Sequence, residues 1–209
     1  MFAASTYEEI ERIESQVENM EIVVFLFARP SEEQILREFE YIHYNSEKYC
    51  SIYAIGYTDD FTKAGDCSYR KVDAFMQQDW YFSTKAFIEF KEKLQDRIQW
   101  KYSGETEILI LQNNPRNRSV LNFRNYVAID INKGIREGYI DSFQSFMEAL
   151  IRSSKRIVTA KEAIRDVRDS RMSVKEIIAS AIDDSKKVPT PIKEIVKDRL
   201  FYRCANSIV

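Results

Sequence analysis

The feature of this sequence that most limits its possible folds is an unbroken β-favouring run from Glu21 to Ala28, EIVVFLFA. A strand with one solvated face alternates polar and apolar residues, and this run does not alternate. It is therefore typical of a strand at the centre of a sheet that is covered on both faces. Arg29-Pro30 ends the run, and the rest of the chain must supply helices to cover the sheet.

Capping and apolar spacing predict four helices before residue 152. Thr6 with Glu9, and Ser31 with Gln34, have the spacing of a capping box, in which two side chains bond the first backbone N–H groups of a helix. Apolar residues then recur every three or four positions. The predicted helices begin near Thr6, near Ser31 (reaching about Lys48), at Ser83 or Thr84 (ending by Ser103-Gly104), and after Gly138.

Three further strands are predicted at Cys50 to Tyr57, Glu107 to Gln112 and Tyr126 to Ile131. The order is then α, β, α, β, α, β, β, α, in which the first two strand connections carry helices and should be right-handed parallel crossovers. The last two strands should form an antiparallel pair. The expected core comprises Val23, Phe25, Phe27, Ile52, Phe87, Phe90, Ile110 and Ile129.

Without its leading helix, this order is βαβαββα, which resembles the thioredoxin fold from Glu21 to about Arg152. The resemblance implies a thioredoxin-like α/β body with a mixed four-stranded sheet. The family's redox cysteines would lie where the first strand meets its helix, and residues 27–32 there read FARPSE, without cysteine. Residues 103–106 read SGET where the family places a cis-proline. The resemblance therefore does not extend to thiol–disulfide exchange.

The charge of the chain is divided unevenly. Residues 1–151 contain 17 Lys and Arg against 25 Asp and Glu, a net charge of −8, whereas residues 152–209 contain 14 against 8, a net charge of +6. We therefore expect an acidic α/β body with a leading helix over 1–151, and a basic helical appendage over 152–209. Short helices are marginal alone in water, so the appendage should dock on the body, on itself or on a partner.

Basic residues of this tail are candidates for binding. Lys161, Arg165 and Arg168 share one predicted helical face, with Lys155 and Arg156 nearby. Such a face could contact the phosphates of a nucleic acid. Acidic residues on the adjacent face also allow an ordinary solvated helix with ion pairs four residues apart.

The stretch from Asp59 to Asp79 lacks clean periodicity and is predicted to be a long loop or a set of short irregular elements. Its aspartates could supply acid–base groups or oxygen ligands for a divalent cation, although a solvated acidic loop explains them more simply. These candidate catalytic residues are Asp59, Asp60, Asp66, Asp73 and Asp79.

A second group of candidate binding residues follows the third strand. Asn113, Asn114 and Arg116 would offer amide and guanidinium donors to a small ligand or an anion from a loop. The turn preference of asparagine explains the same residues without a ligand.

Several classes of protein are excluded or disfavoured by composition. The five glycines assemble neither a GxGxxG nor a GxxxxGK[ST] phosphate loop. The three cysteines and the single histidine, His43, are widely spaced, so we expect reduced thiols, no structural zinc and no cofactor. No apolar run approaches the length of a membrane span, and a cytoplasmic protein without membrane contact is expected.

Two functions remain open from the sequence. The first is a non-catalytic, non-redox module for protein interaction or regulation, which binds a protein partner or a second copy of itself. The alternative is an enzyme that processes a nucleotide or a nucleic acid with the acidic residues of the 59–79 segment. In either case the basic tail is a possible contact for nucleic acid.

Overall fold

The computed structural model describes residues 1–17, 22–46, 50–64, 68–75, 78–114, 120–138 and 140–163. Its strands are β1 (Phe2–Ala4), β2 (Ile22–Phe27), β3 (Cys50–Ile55), β4 (Tyr57–Thr58), β5 (Arg70–Phe75), β6 (Gln78–Phe82), β7 (Glu107–Asn113) and β8 (Leu121–Asp130). Its helices are α1 (Tyr7–Glu14), α2 (Glu33–Arg37), α3 (Phe39–Ser46), α4 (Phe61–Ala64), α5 (Thr84–Gln95), α6 (Ile131–Arg136) and α7 (Phe143–Ala163).

The main sheet is mixed and has the order β1-β3-β2-β7-β8. β1, β3 and β2 are parallel, β7 runs antiparallel to β2, and β8 runs antiparallel to β7. Every residue of β2 is buried, as the continuous apolar run predicted. The predictions of a mixed α/β fold and of the eight core residues are confirmed, because each of those residues is at most 2% exposed.

The prediction of four strands in this sheet is wrong, because β1 adds a fifth at the edge. It pairs in register with the end of β3, from Phe2 opposite Tyr53 to Ala4 opposite Ile55. Three residues are too short to show a strand period in the sequence. Their extended conformation comes from the backbone hydrogen bonds that β3 offers.

The prediction of a long loop or of short irregular elements over Asp59 to Asp79 is wrong where the segment forms β5 and the start of β6, which belong to a second sheet of order β4-β6-β5. Gly56, with a φ of 86°, lies between β3 and β4, where the chain leaves the main sheet. Tyr57, Trp80 and Phe82 of this small sheet are buried, and the Tyr57 ring contacts the rings of both Trp80 and Phe82. The sequence did not indicate this sheet, because the exposed Arg70 and Lys71 occupy consecutive positions at the start of β5 and interrupt the alternation of polar and apolar residues.

The predicted helices form, with changed ends. The Thr6 hydroxyl accepts a hydrogen bond from the Glu9 N–H at 3.2 Å, so the cap predicted there is confirmed. The Ser83 hydroxyl accepts one from the Ala86 N–H at 3.2 Å, and α5 begins at Thr84, which confirms the predicted start of this helix. The helix predicted from Ser31 to Lys48 is instead divided into α2 and α3 at Glu38. Its predicted cap is not used, because α2 begins after Glu32.

The last described helix crosses the predicted boundary between body and tail. α7 continues without a break from Phe143 to Ala163, and Phe146, Met147 and Leu150 on it are buried. The rest of the predicted helical appendage, residues 164–209, lies outside the described residues.

Candidate binding cleft

The main candidate site is a cleft at the carboxyl edge of the main sheet. At this edge Phe27 at the end of β2, Glu107 at the start of β7 and Asp130 at the end of β8 lie side by side in the ladder. Ligands of open α/β sheets commonly bind outside the carboxyl ends of strands. The cleft has a volume of about 890 Å³ and is lined by Ser31, Glu32, Ile35, Arg37, Glu38, Asn132, Ile135, Arg136, Asp141, Ser142, Phe143 and Gln144.

Glu32 is a charged side chain of the cleft that two neighbouring side chains hold by hydrogen bonds. Its oxygen Oε2 accepts a hydrogen bond from the hydroxyl of Thr106 and one from the Asn132 amide nitrogen at 3.2 Å. Within the described part of the chain, no donor bonds its other oxygen, Oε1. The carboxylate is therefore fixed in orientation and keeps one oxygen for a ligand.

Three segments bring these groups together. Glu32 precedes α2, five residues beyond the end of β2, and Thr106 immediately precedes β7. Asn132 lies on α6, where the Asp130 carboxylate caps the helix by accepting from the Lys133 N–H at 2.8 Å. The Ile131 N–H also donates to the Thr106 carbonyl at 3.0 Å, which fixes the start of α6 to the start of β7.

The charges of the cleft are not balanced. Arg136 forms an ion pair with Glu105 at 2.6 Å, and this hydrogen bond raises the pKa of the guanidinium. Glu105 does not line the cleft, so Arg136 is already neutralised from outside it. Glu32 and Glu38 take part in none of the ion pairs formed among the described residues. The lining as a whole carries three carboxylates, Glu32, Glu38 and Asp141, against two guanidiniums, Arg37 and Arg136, so its charge is net negative.

Part of the lining is apolar. Ile35 and Phe143 are buried, whereas Ile135 is 38% exposed. A ligand of this cleft would thus meet aliphatic and aromatic carbon beside a fixed carboxylate. Such a mixed surface suits a long side chain with an apolar stem and a polar end.

Two tyrosines that feel the negative charge of Glu32, Tyr57 and Tyr102, are protonated at neutral pH. Burial raises the pKa of Tyr57 far above its usual range, with a further contribution from the negative charge of Glu32. The Tyr57 hydroxyl donates to the carbonyl of Ala28 at 3.0 Å. Burial also raises the pKa of Tyr102 to about 12. Neither phenol is poised to act as a base beside the cleft.

The acidic residues proposed from the sequence lie away from this cleft. The Asp60 carboxylate accepts from the Thr62 N–H at 2.8 Å and from its hydroxyl at 2.6 Å, and these bonds lower the Asp60 pKa. Asp79 pairs with Lys71 at 2.7 Å, and Asp59 is exposed. The Asp73 side chain and the whole of Asp66 lie outside the described structure. Among the described side chains, no three His, Cys, Asp or Glu groups are arranged to hold a metal ion together.

The interpretation of Asn113 as a loop residue is wrong. It is the last residue of β7, it is buried, and its amide nitrogen donates to Glu14 at 2.7 Å. A buried carboxyl group such as that of Glu14 requires hydrogen-bond donors, and the Asn113 amide serves as one of them. Asn114 follows the strand and bonds the carbonyl of Val120 through its N–H. Arg116 lies outside the described residues.

The basic residues proposed for the tail are described only in part. Lys155 is exposed on α7. Arg156 and Lys161 are also part of α7, but the description does not include their side chains. Arg165 and Arg168 lie outside the described residues, so a basic binding face on this segment stays a prediction.

The sequence interpretation did not find the cleft, although one signal was present. Glu32 and Asn132 each follow the end of a predicted strand by a few residues. Polar residues in that position gather at one edge when the two strands are parallel, as β2 and β8 are. The ladder between them, through β7, was needed to show that these particular residues meet.

In comparisons with known proteins, no protein-family model, no curated protein and no solved structure matches this chain. In the described ranges, none of the helices combines the length and the apolar character that crossing a membrane requires.

Proposed function

We propose that this protein is a non-catalytic, non-redox interaction module that binds a polypeptide segment of a partner in the cleft at the carboxyl edge of its sheet. The observation that carries the proposal is the fixed Glu32 carboxylate beside the apolar surface of Ile35, Ile135 and Phe143. A peptide side chain offers both kinds of surface at once. The expected location is the cytoplasm, and the partner is another protein or a second copy of the chain.

We further propose that the body is thioredoxin-like. The order β3-β2-β7-β8, in which β7 alone runs antiparallel to the others, supports this because that fold arranges its four strands in the same way. The loop after β2, where the family carries its redox cysteines, is the loop that ends at Glu32 here. On this proposal the family's reactive edge is used for binding. Cys50, a buried thiol in β3, is not exposed for exchange.

The alternative function, processing of a nucleotide or a nucleic acid, would use the acidic residues of the 59–79 segment. Asp60 and Asp79 are engaged by Thr62 and Lys71, which favours structural roles for both. The enzyme hypothesis predicts that Mg²⁺ or Mn²⁺ shifts the melting temperature and supports turnover, and that Asp66→Ala and Asp73→Ala abolish both effects. Such a result would replace the binding module with the enzyme.

The binding proposal is tested by selecting peptides from a random displayed library on the full-length protein. Two exposed isoleucines provide a matched pair of variants, since Ile135 lines the cleft and Ile88 on α5 does not, and each is 38% exposed. Peptides should bind the wild type and Ile88→Trp but not Ile135→Trp, in which the indole fills the cleft. Selection of no peptide, or equal binding to both variants, would contradict the proposal.

A further inference from the structure

We infer that the cleft receives an arginine side chain from a basic segment of a partner protein, with Glu32 and Asn132 as the groups that bind its guanidinium. The inference rests on the proposed function and specifies the chemistry of its ligand. Three features of the cleft support it: the hydrogen-bond acceptors that no described protein group uses, the net negative charge of the lining, and the apolar surface beside these acceptors.

The groups around Glu32 leave hydrogen-bond acceptors open to a ligand. The Thr106 hydroxyl and the Asn132 amide nitrogen both donate to Oε2 of Glu32. The amide of Asn132 is therefore oriented, and its oxygen Oδ1 accepts no hydrogen bond from the described residues. Two acceptors, Oε1 of Glu32 and Oδ1 of Asn132, remain on neighbouring side chains. A ligand rich in donors satisfies them.

The remaining charge selects a cation. An anionic ligand would meet three carboxylates, Glu32, Glu38 and Asp141, against the two guanidiniums of Arg37 and Arg136. Of these two, Arg136 is already held by Glu105 at 2.6 Å. A neutral ligand would leave the partly buried Glu32 carboxylate unpaired. A cationic ligand avoids this repulsion and pairs with the Glu32 carboxylate. Its hydrogen bonds are charge-assisted and therefore stronger than those of a neutral ligand.

The shape of the donor favours arginine over lysine. A guanidinium presents five N–H groups in one plane and can bond acceptors from two different side chains, whereas an ammonium is a compact point charge with stronger hydration. The methylene stem of arginine would lie against Ile135 and Phe143. Lysine should bind the same place more weakly.

The source of the arginine is a partner protein. The net charge of −8 on residues 1–151 attracts basic segments in solution and increases their rate of encounter. The two other sources, a second copy of the chain and its own basic residues 164–209, give distinct outcomes in the test below.

The experiment measures binding of a fluorescent peptide with one arginine in a glycine-serine background to the full-length protein. The matched peptide carries citrulline, which keeps the shape of arginine and removes its charge. We expect citrulline to weaken binding by about tenfold or more, since the charge-assisted bonds are lost. Lysine should give an intermediate affinity. Glu32→Gln should abolish the difference between arginine and citrulline, whereas Glu89→Gln on the exposed face of α5 should preserve it.

Equal affinities for arginine and citrulline peptides, or an unchanged difference in Glu32→Gln, would overturn the inference. If Glu32→Gln exposes residues 164–209 to trypsin with no peptide present, the chain's own segment is the ligand and the assignment to a partner is wrong. If the variant loses a concentration-dependent dimer seen by ultracentrifugation, a second copy is the ligand and the assignment is likewise wrong. Library peptides that need the cleft but show no enrichment in arginine would refute this inference and leave the proposed function standing.

Discussion

The carboxylate of Glu107 accepts a hydrogen bond from the indole nitrogen of Trp100 at 2.7 Å in the buried interior, at the base of the sheet edge that carries the cleft. The backbone N–H of Ser103 donates to the other oxygen at 2.6 Å. One acidic side chain thus fixes the turn between α5 and β7. Burial nevertheless raises the pKa of Glu107, because its two donors only partly replace the water that the carboxylate has lost.

This raised pKa predicts a pH dependence of stability. The native state holds its proton on Glu107 at pH values where the unfolded chain has released it, so this residue's contribution to stability falls as the pH rises above about 4, the ordinary glutamate range. Glu107→Gln should cost about 1 to 3 kcal/mol at low pH, because the hydroxyl oxygen of the protonated carboxyl can still accept the second hydrogen bond and the amide nitrogen of glutamine cannot. The gap in free energy of unfolding between the wild type and the variant should then shrink from pH 4 to pH 7.

Urea unfolding of both proteins across this range measures the gap. Glu89→Gln serves as the control, because Glu89 is exposed and its variant should follow the wild-type profile. Profiles for Glu107→Gln and the wild type that stay parallel would show that the pKa of Glu107 does not differ between the folded and unfolded states.

Tyr53→Phe should destabilise the protein through Glu14. The Tyr53 hydroxyl donates to the buried Glu14 carboxylate at 2.6 Å, and the second donor is the Asn113 amide at 2.7 Å. Removing the hydroxyl leaves a buried charge with one fewer donor, so we expect a loss of about 1.5 to 3 kcal/mol in chemical denaturation. Tyr44→Phe, at a residue that is 67% exposed, should change stability by less than about 0.5 kcal/mol. Similar losses of stability for the two variants would mean that the hydrogen bond from Tyr53 to Glu14 does not stabilise the protein.

Gly56→Ala should be strongly destabilising for two reasons. Its φ of 86° is unfavourable for alanine, and a Cβ there would lie 2.8 Å from the Cβ of Phe87 and 3.2 Å from its Cα. We expect a loss of about 2 kcal/mol or more, measured by thermal unfolding. Gly104→Ala separates the two effects, because Gly104 has a φ of 101° but open space around it. If both variants lose the same stability, the close approach of Phe87 contributes nothing.

Phe90→Ala should remove part of the aromatic core between β2 and α5. The Phe90 ring contacts the rings of Tyr7, Phe25 and Phe27 at centroid distances of 5.5 to 6.2 Å. Truncation of a buried phenylalanine costs about 3 to 5 kcal/mol, which equilibrium unfolding should show. Ile88→Ala on the same helix, at a partly exposed site, should cost clearly less. A loss below about 1 kcal/mol for Phe90→Ala would contradict the packing of α5 on the sheet.

The elements that sequence reasoning predicted well are those whose signals are local. The run in β2, the caps at Thr6 and Ser83 and the apolar spacing of α5 depend on residues within a few positions of one another. Hydrogen bonds of helix caps and the period of side chains act over that range, so the sequence alone is enough to indicate them.

The elements that it missed depend on pairing with distant parts of the chain. β1 is extended because β3 lies beside it, and the segment after Asp59 forms a sheet because β6 pairs with β4 and β5. The sequence patterns of such short or polar strands are weak, because their stability comes mostly from pairing with the neighbouring strands.

The sequence by itself determined a central buried strand, its flanking capped helices and a mixed α/β body with opposite charge in its tail. Only the tertiary structure decided the cleft. Thr106 and Asn132 lie 74 and 100 positions from Glu32, and hydrogen bonds between them form only after β2, β7 and β8 have paired in one register. The local sequence does not show that Glu32, Thr106 and Asn132 meet, because no short segment of the chain contains two of these three residues.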